Sequence, residues 1–210
     1  MTIPDWHPAN GMPLLDSSVP GATLHFAPDW LAAPEADALL AHLQRDIAWE
    51  VHRIRMFGRL VDSPRLSRWV GDTGAVYRYS GSDFLPQAWT PALEDLRGRL
   101  QEELGARFNS VLLNLYRDGR DAMGWHSDDE PELGPRPVIA SVSLGAVRRF
   151  ALRDRRESHL RQVLELPHGS LLVMSGDTQR LCRHALPRTA RLLGPRINLT
   201  FRWIDPARRR

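Results

Sequence analysis

The chain has 210 residues, 42% of them hydrophobic and 25% charged, a balance that suits one globular domain with a real core. It holds no apolar run of about 18 residues, which excludes a membrane-spanning helix, and its single cysteine, Cys182, excludes an internal disulfide and points to a reducing cytoplasm. The net charge of +3 is uneven: residues 1–44 carry five acidic residues and no arginine, a net of −5, so residues 45–210 carry +8, and all 28 basic residues are arginine.

The opening Met1-Thr2-Ile3-Pro4-Asp5-Trp6-His7 has no basic stretch followed by an apolar core, so no secretory signal is expected. Residues 1–20 are rich in proline and small residues and read as an extended arm. Pro34 and Glu35 open a helix with apolar positions at Ala36, Leu39, Leu40 and Leu43. Trp49 to Met56 alternates residue types as a strand does, Gly58 to Gly74 shows no clear periodicity, and Tyr77 to Ser80 reads as a short strand. Thr90-Pro91 begins a second helix, through Leu93, Leu96, Leu100 and Leu104, closed by Gly105. These helices and strands form a segment from 21 to 105.

From 106 to 210 the texture is β. Strands are expected at Val111–Tyr116, Val138–Leu144, Val147–Leu152, Val163–Leu166, Ser170–Met174 and Ile197–Ile204, with Pro167-His168-Gly169 as a turn. Two early helices followed by many short strands predict an α+β chain, its antiparallel double sheet compatible with a jelly roll.

The chemistry concentrates in this second half. His126 and Asp128 stand two apart, and on a strand such residues point to one face, so both can meet one ion. His184 follows downstream, and two imidazoles with one carboxylate make a facial triad suited to Fe(II), and also to Mn or Zn. The spacing alone is common, and with eight histidines in the chain a downstream one adds little. The last strand says more. Arg196, Asn198, Thr200 and Arg202 alternate to one face, against Ile197, Leu199, Phe201 and Trp203 on the other. Turned inward, that polar row needs an anion; turned outward, it is an ordinary half-exposed antiparallel strand.

Taken together, Asn114-x-Tyr116, His126-x-Asp128, His184 and Arg196-x-Asn198-Leu199-Thr200-Phe201-Arg202 resemble the AlkB family of Fe(II)- and 2-oxoglutarate-dependent nucleic-acid dealkylases. Met56-Phe57-Gly58-Arg59, Ser63-Pro64-Arg65 and Tyr77-Arg78-Tyr79-Ser80-Gly81 look like the subgroup that prefers duplex DNA. The resemblance covers roughly residues 45–205. It implies a double-stranded β-helix, a jelly-roll variant, with N-terminal helices and a nucleotide-recognition lid built from residues upstream of the core. His126, Asp128 and His184 would bind iron. Arg196 would pair with the distal carboxylate of 2-oxoglutarate and Arg202 with the carboxylate beside its keto group. Asn114, Tyr116, Asn198 and Thr200 would add hydrogen bonds. The reaction it implies takes O2 and 2-oxoglutarate to succinate and carbon dioxide while an N-methyl group of 1-methyladenine or 3-methylcytosine leaves as formaldehyde.

On the substrate side the resemblance makes Phe57 a wedge that enters the gap left by a flipped base. Arg59 and Arg65 would sit near the nucleic-acid backbone or base edges. Tyr77, Tyr79 and Ser80 would bound the base pocket, and Glu130 would favour a methylated, cationic base. Basic stretches at Arg148-Arg149, Arg153-Asp154-Arg155-Arg156 and Arg183 suit phosphates, or a solvated face. The expected partner is alkylated DNA or RNA, the chain acting as a cytoplasmic monomer without a membrane. Two rival readings remain: a 2-oxoglutarate oxygenase acting on a protein or small molecule, and a non-catalytic nucleic-acid-binding module.

Overall fold

The computed structural model describes residues 6–56, 59–79 and 82–208; the side chains of 53–60 and 77–84 lie outside that description. In chain order the elements are β1 (Leu14–Leu15), β2 (Thr23–Ala27), α1 (Ala33–Asp46), β3 (Glu50–Met56), β4 (Arg59–Gly71), β5 (Tyr77–Tyr79), β6 (Ser82–Phe84), α2 (Pro91–Leu104), β7 (Ser110–Tyr116) and β8 (Met123–His126). A 3₁₀ turn (Pro131–Leu133) precedes β9 (Ile139–Gly145), β10 (Arg148–Asp154), β11 (Arg161–Leu166), β12 (Ser170–Ser175), the short α3 (Thr178–Leu181), β13 (Cys182–Leu186) and β14 (Arg196–Arg202).

Among the described residues the strands make two facing sheets. The larger has eight strands in the order β1-β2-β12-β9-β14-β7-β4-β3, and the smaller has four, β11-β10-β13-β8. β5 and β6 form a separate hairpin. Strands from both sides of residue 105 share the larger sheet, because β4 pairs antiparallel with β7 and β2 with β12. Every named pairing is antiparallel, which makes this the α+β double sheet of a jelly roll.

The helices form where their caps and stripes predict. In α2 the Thr90 side chain accepts from the Leu93 N–H, Pro91 stands in the first turn, and Gly105 closes the helix at φ 60°, a conformation only glycine adopts without strain. Its fully buried stripe of Leu93, Leu96, Leu100 and Leu104 packs with Ala36 and Leu43 of α1 onto one face of the larger sheet. That face is built by alternate residues: Leu171 and Val173 of β12, Val142 and Leu144 of β9, and Ile197, Leu199 and Phe201 of β14. The intervening residues, such as Leu172, Met174 and Ile139, turn to the other side and pack with Phe150 and Leu152 of the smaller sheet. Each such fully buried aliphatic side chain contributes roughly 1.5–3 kcal/mol of transfer free energy.

β4 is the largest difference from the sequence reading. Ser63, Arg65, Ser67 and Trp69 are buried at alternate positions, joined by Val70 and Gly71 at the strand's end, so the inward face is mostly polar and carries no apolar alternation to be read. Pro64 sits where the β3–β4 register shifts, beyond the stretch that pairs with β7, so its missing N–H breaks no rung of that ladder. The arm also differs: Leu14 and Leu15 leave the extended stretch to pair with β2 at the sheet edge. Trp203 lies past the end of β14, 38% exposed under the Arg107 guanidinium, rather than on the strand's apolar face.

Candidate metal and co-substrate site

The cavity between the two sheets is lined from one side by Asn114 and Tyr116 of β7, Ser141 of β9 and the polar row of β14, and from the other by His126, Phe150 and His184. β13 lies beside β8, with His184 directly opposite His126, and the two imidazole centroids are 4.2 Å apart. One atom each of His126, Asp128 and His184 can be chosen so that all three lie within 4.8 Å of one another. The shared strand face expected for His126 and Asp128 is corrected: β8 ends at His126, and Asp128 follows in the loop. The Asp128 N–H, having no strand partner, donates to Gln179 Oε1 at 2.9 Å, while Ser127 Oγ donates to the Cys182 carbonyl at 2.6 Å. Those two bonds turn the carboxylate into the cavity in place of a pleat.

Protonation states favour metal binding. His126 Nδ1 lies 2.8 Å from the Gly124 carbonyl, so it carries the proton and leaves Nε2 with its lone pair. Burial lowers the pKa of His126, against the opposing charge of Asp128. Burial, aided by His126 and Arg202, brings His184 down to about 3. Burial opposes ionisation of Asp128, yet the charge of Arg202, with its hydrogen bond, leads the effects that outweigh it and hold the carboxyl well below its usual range. Arg202 supplies the closest of these, with Nη2 donating to Asp128 Oδ2 at 2.7 Å. Two neutral imidazoles and an ionised carboxylate are a donor set that fits Fe(II).

On the opposite wall the polar row of β14 is turned inward. Arg196 is 1% exposed, and its Nη2 donates to Ser143 Oγ at 2.9 Å and Asn198 Oδ1 at 2.7 Å. Its Nε finds no hydrogen-bond partner, and burial brings its pKa down to about 10. Asn198 Nδ2 donates in turn to Thr200 Oγ1 at 2.8 Å, and Ser141 Oγ donates to Asn198 Oδ1 at 3.1 Å. A buried guanidinium with an unsatisfied N–H and no carboxylate partner among the described residues fits a carboxylate ligand. The residues present thus fit both the iron and a keto acid with a second carboxylate.

The residues expected to touch a base fare differently. Arg65 is buried: its Nε donates to Asn114 Oδ1 at 2.7 Å and its Nη1 to Ser63 Oγ at 3.1 Å. Two of its donors are thus engaged inside the protein, one of them on Asn114, the residue expected to bond the co-substrate. Glu130 is half-buried just before the 3₁₀ turn, two residues past Asp128, and is not among the residues lining the cavity. Phe57 and Ser80 lie outside the described residues, as do the side chains of Arg59, Tyr77 and Tyr79. Of the basic stretches, Arg148 is buried, whereas Arg149, Arg156 and Arg183 are exposed.

Ser141, Ser143 and Gln179 were not anticipated. The serines alternate with Ala140, Val142 and Leu144 along β9, a period-2 pattern that marks an inward polar face. Gln179, 2% exposed, has no such signature, since it reaches Asp128 from the four-residue helix α3.

Comparison with known proteins agrees with this geometry. A family model described as the 2OG-Fe(II) oxygenase superfamily matches residues 23–202. The chain is 41% identical over 185 residues to the DNA oxidative demethylase ALKBH2 of Mus musculus, covering 83% of this chain and 77% of that one. It is 38% identical over 188 residues to the alpha-ketoglutarate-dependent dioxygenase alkB homolog 3 of Homo sapiens, covering 85% and 65%. The ALKBH2 of Arabidopsis thaliana is 35% identical over 210 residues, covering 88% and 67%. The solved structure of OsALKBH1 superposes with a TM-score of 0.61 at 18% identity, over 91% of this chain and 100% of that one, a likeness of fold. With its His-Asp-His cluster facing an inward arginine row, and relatives of this similarity over most of its length, the chain belongs to the 2OG-Fe(II) oxygenase superfamily and, within it, to the AlkB family.

Proposed function

We propose that this protein is an Fe(II)- and 2-oxoglutarate-dependent oxidative demethylase that repairs N-alkylated bases in DNA. The observation that carries the reading is one cavity shared by two unlike ligand sets. His126, Asp128 and His184 are held in metal-binding protonation states on one side, and the buried Arg196 with an unsatisfied Nε lines the other. Relatives named DNA oxidative demethylase support the choice of substrate.

With Fe(II), 2-oxoglutarate and O2 bound, the site would couple oxidation of the keto acid to succinate and carbon dioxide, which takes one oxygen atom, to insertion of the other into an N-methyl C–H bond, and the hydroxymethyl group would leave as formaldehyde to give the repaired base. The chain's part is to bind and orient. His126, Asp128 and His184 hold the metal. Arg196 pairs with the distal carboxylate of the co-substrate, and Arg202 holds Asp128 ionised while reaching toward the keto-acid end. Asn114, Tyr116, Asn198 and Thr200 supply directional hydrogen bonds. Phe150, Met174 and Leu186 wall the cavity with apolar surface and limit the water that reaches it.

The reading extends to the remaining contacts. Phe57 is the wedge, Arg59 contacts the backbone, Tyr77, Tyr79 and Ser80 bound the base, and Glu130 favours its cationic form. The protein acts as a monomer in the cytoplasm, a setting with which a buried free Cys182 is compatible.

The test is incubation of purified protein with Fe(II), 2-oxoglutarate and oligonucleotides bearing 1-methyladenine or 3-methylcytosine, single-stranded and duplex. Formaldehyde and succinate should appear in step, dependent on the lesion. Succinate formed on a protein or small molecule with none on lesioned DNA would move the activity to another substrate class. Binding without succinate would leave a nucleic-acid-binding module.

A further inference from the structure

Arg196 is not the only guanidinium buried beside Tyr116. Arg148 of β10 is 3% exposed, and its Cζ lies 5.7 Å from the Tyr116 ring centroid, against 5.4 Å for the Cζ of Arg196. Among the described residues neither arginine forms an ion pair with a carboxylate. Two like charges sharing one ring and buried from water are costly unless an anion joins them. Arg148 spends its donors on main chain: Nη1 on the Asp118 carbonyl at 3.0 Å, and Nη2 on the carbonyls of Asp121 at 2.8 Å and Pro187 at 2.9 Å. Neutral oxygens satisfy its hydrogens, and the charges of Asp121 and Asp118, which form no ion pair with it, favour its charged form without outweighing burial.

The carbonyls belong to the two connections that flank the site. Residues 117–122 run from Tyr116 to the strand bearing His126, and residues 187–195 run from the strand bearing His184 to Arg196. They are packed against each other: the Thr189 N–H donates to the Gly119 carbonyl at 2.9 Å, and a Cβ at Gly119 would stand 2.5 Å from the Thr189 carbonyl oxygen. Arg148 is thus locked to both connections and cannot swing into the cavity. It acts from behind Tyr116, through its field.

We propose that Arg148 is a specificity-determining residue: a fixed second cation that makes the site select keto acids with a distal carboxylate over keto acids without one. The inference rests on the reading of Arg196 as the anchor of that carboxylate. It adds a residue that touches no ligand yet sets how strongly the far end of the cavity prefers a negative charge. At the effective dielectric of a protein, a unit charge behind one aromatic ring shifts the affinity of an anion by about 10-fold.

The test compares 2-oxoglutarate with 2-oxovalerate, in which a methyl group replaces the distal carboxylate. Affinities are read without oxygen, from the thermal stabilisation of full-length Mn(II)-loaded protein. Wild type should prefer 2-oxoglutarate strongly. Arg148→Met should lower that preference about 10-fold, through loss of 2-oxoglutarate affinity with 2-oxovalerate unchanged. Arg148→Gln keeps donors for the carbonyls without the charge and should behave alike, while Arg148→Lys keeps the charge and should retain most of the preference; this pair decides if Arg148→Met does not fold. Equal loss of both ligands, or an unchanged preference in a wild type that discriminates, overturns the role of Arg148 and leaves the Arg196 anchor standing. A wild type that binds the two ligands alike overturns both.

Discussion

Arg202 and Asp128 form an ion pair across the cavity, Nη2 to Oδ2 at 2.7 Å, with both side chains almost wholly removed from water. The pair joins the last strand of the larger sheet to the loop that carries the proposed metal carboxylate. Arg202→Met leaves that carboxylate buried and uncompensated, and should lower the unfolding free energy by about 3–5 kcal/mol. In metal-free urea denaturation the double variant Asp128→Asn with Arg202→Met should recover part of that loss. Additive losses would show that the two side chains do not act as a pair.

Removal of a proposed metal ligand should abolish the chemistry. His126→Ala, Asp128→Ala and His184→Ala are each expected to stop succinate and formaldehyde formation together. Full turnover in any of them would place the metal elsewhere.

Gln179 shapes the same site through a single bond to the Asp128 N–H. Gln179→Leu is close in size and lacks the acceptor. It should weaken Mn(II) affinity by about 10-fold, as supporting residues of metal sites do. Titration of the apoprotein by calorimetry reads this directly, and an unchanged affinity would mean that the loop holds Asp128 unaided.

Arg196→Met should raise the 2-oxoglutarate concentration needed for half-maximal rate by about 100-fold or more, the loss expected for a buried charge-assisted contact. Leu100→Ala makes the contrasting case. Leu100 is fully buried between α2 and the sheet, on the side away from the cavity. Its truncation should cost about 2–5 kcal/mol of stability and leave the 2-oxoglutarate requirement of the folded enzyme unchanged.

The proposed wedge is tested by strand form. Phe57→Ala should reduce the specificity constant on duplex lesions by about 10-fold or more and on single-stranded lesions little, because only a duplex presents a gap to fill. Equal losses on both forms would assign Phe57 a packing role.

Much of this protein is legible in its residues because the relevant patterns are local. Thr90-Pro91 and Gly105 bracket α2, and the leucines between them define its buried stripe. The alternation of β14 separates Arg196, Asn198, Thr200 and Arg202 from Ile197, Leu199 and Phe201, and the strand indeed faces the cavity with one set and the helices with the other. β4 escaped because its buried face sets Ser63, Arg65 and Ser67 in line with Trp69, and hydropathy cannot report a strand whose inward side is mostly polar. β8 and β13 are short, and their identity depends on pairing with each other.

The sequence by itself determined the kinds of chemistry available: a His-Asp-His donor set, an arginine row for carboxylates, and two amphipathic helices to cover a sheet. Only the tertiary structure decided how these meet. It took Asp128 off the strand and gave its N–H to Gln179, buried Arg65 against Asn114, and set Arg148 behind Tyr116. The physical reason is common to all three. Each is a polar group buried between sheets, and where such a group finds its partner depends on which distant strands are brought together, a relationship that no local periodicity contains.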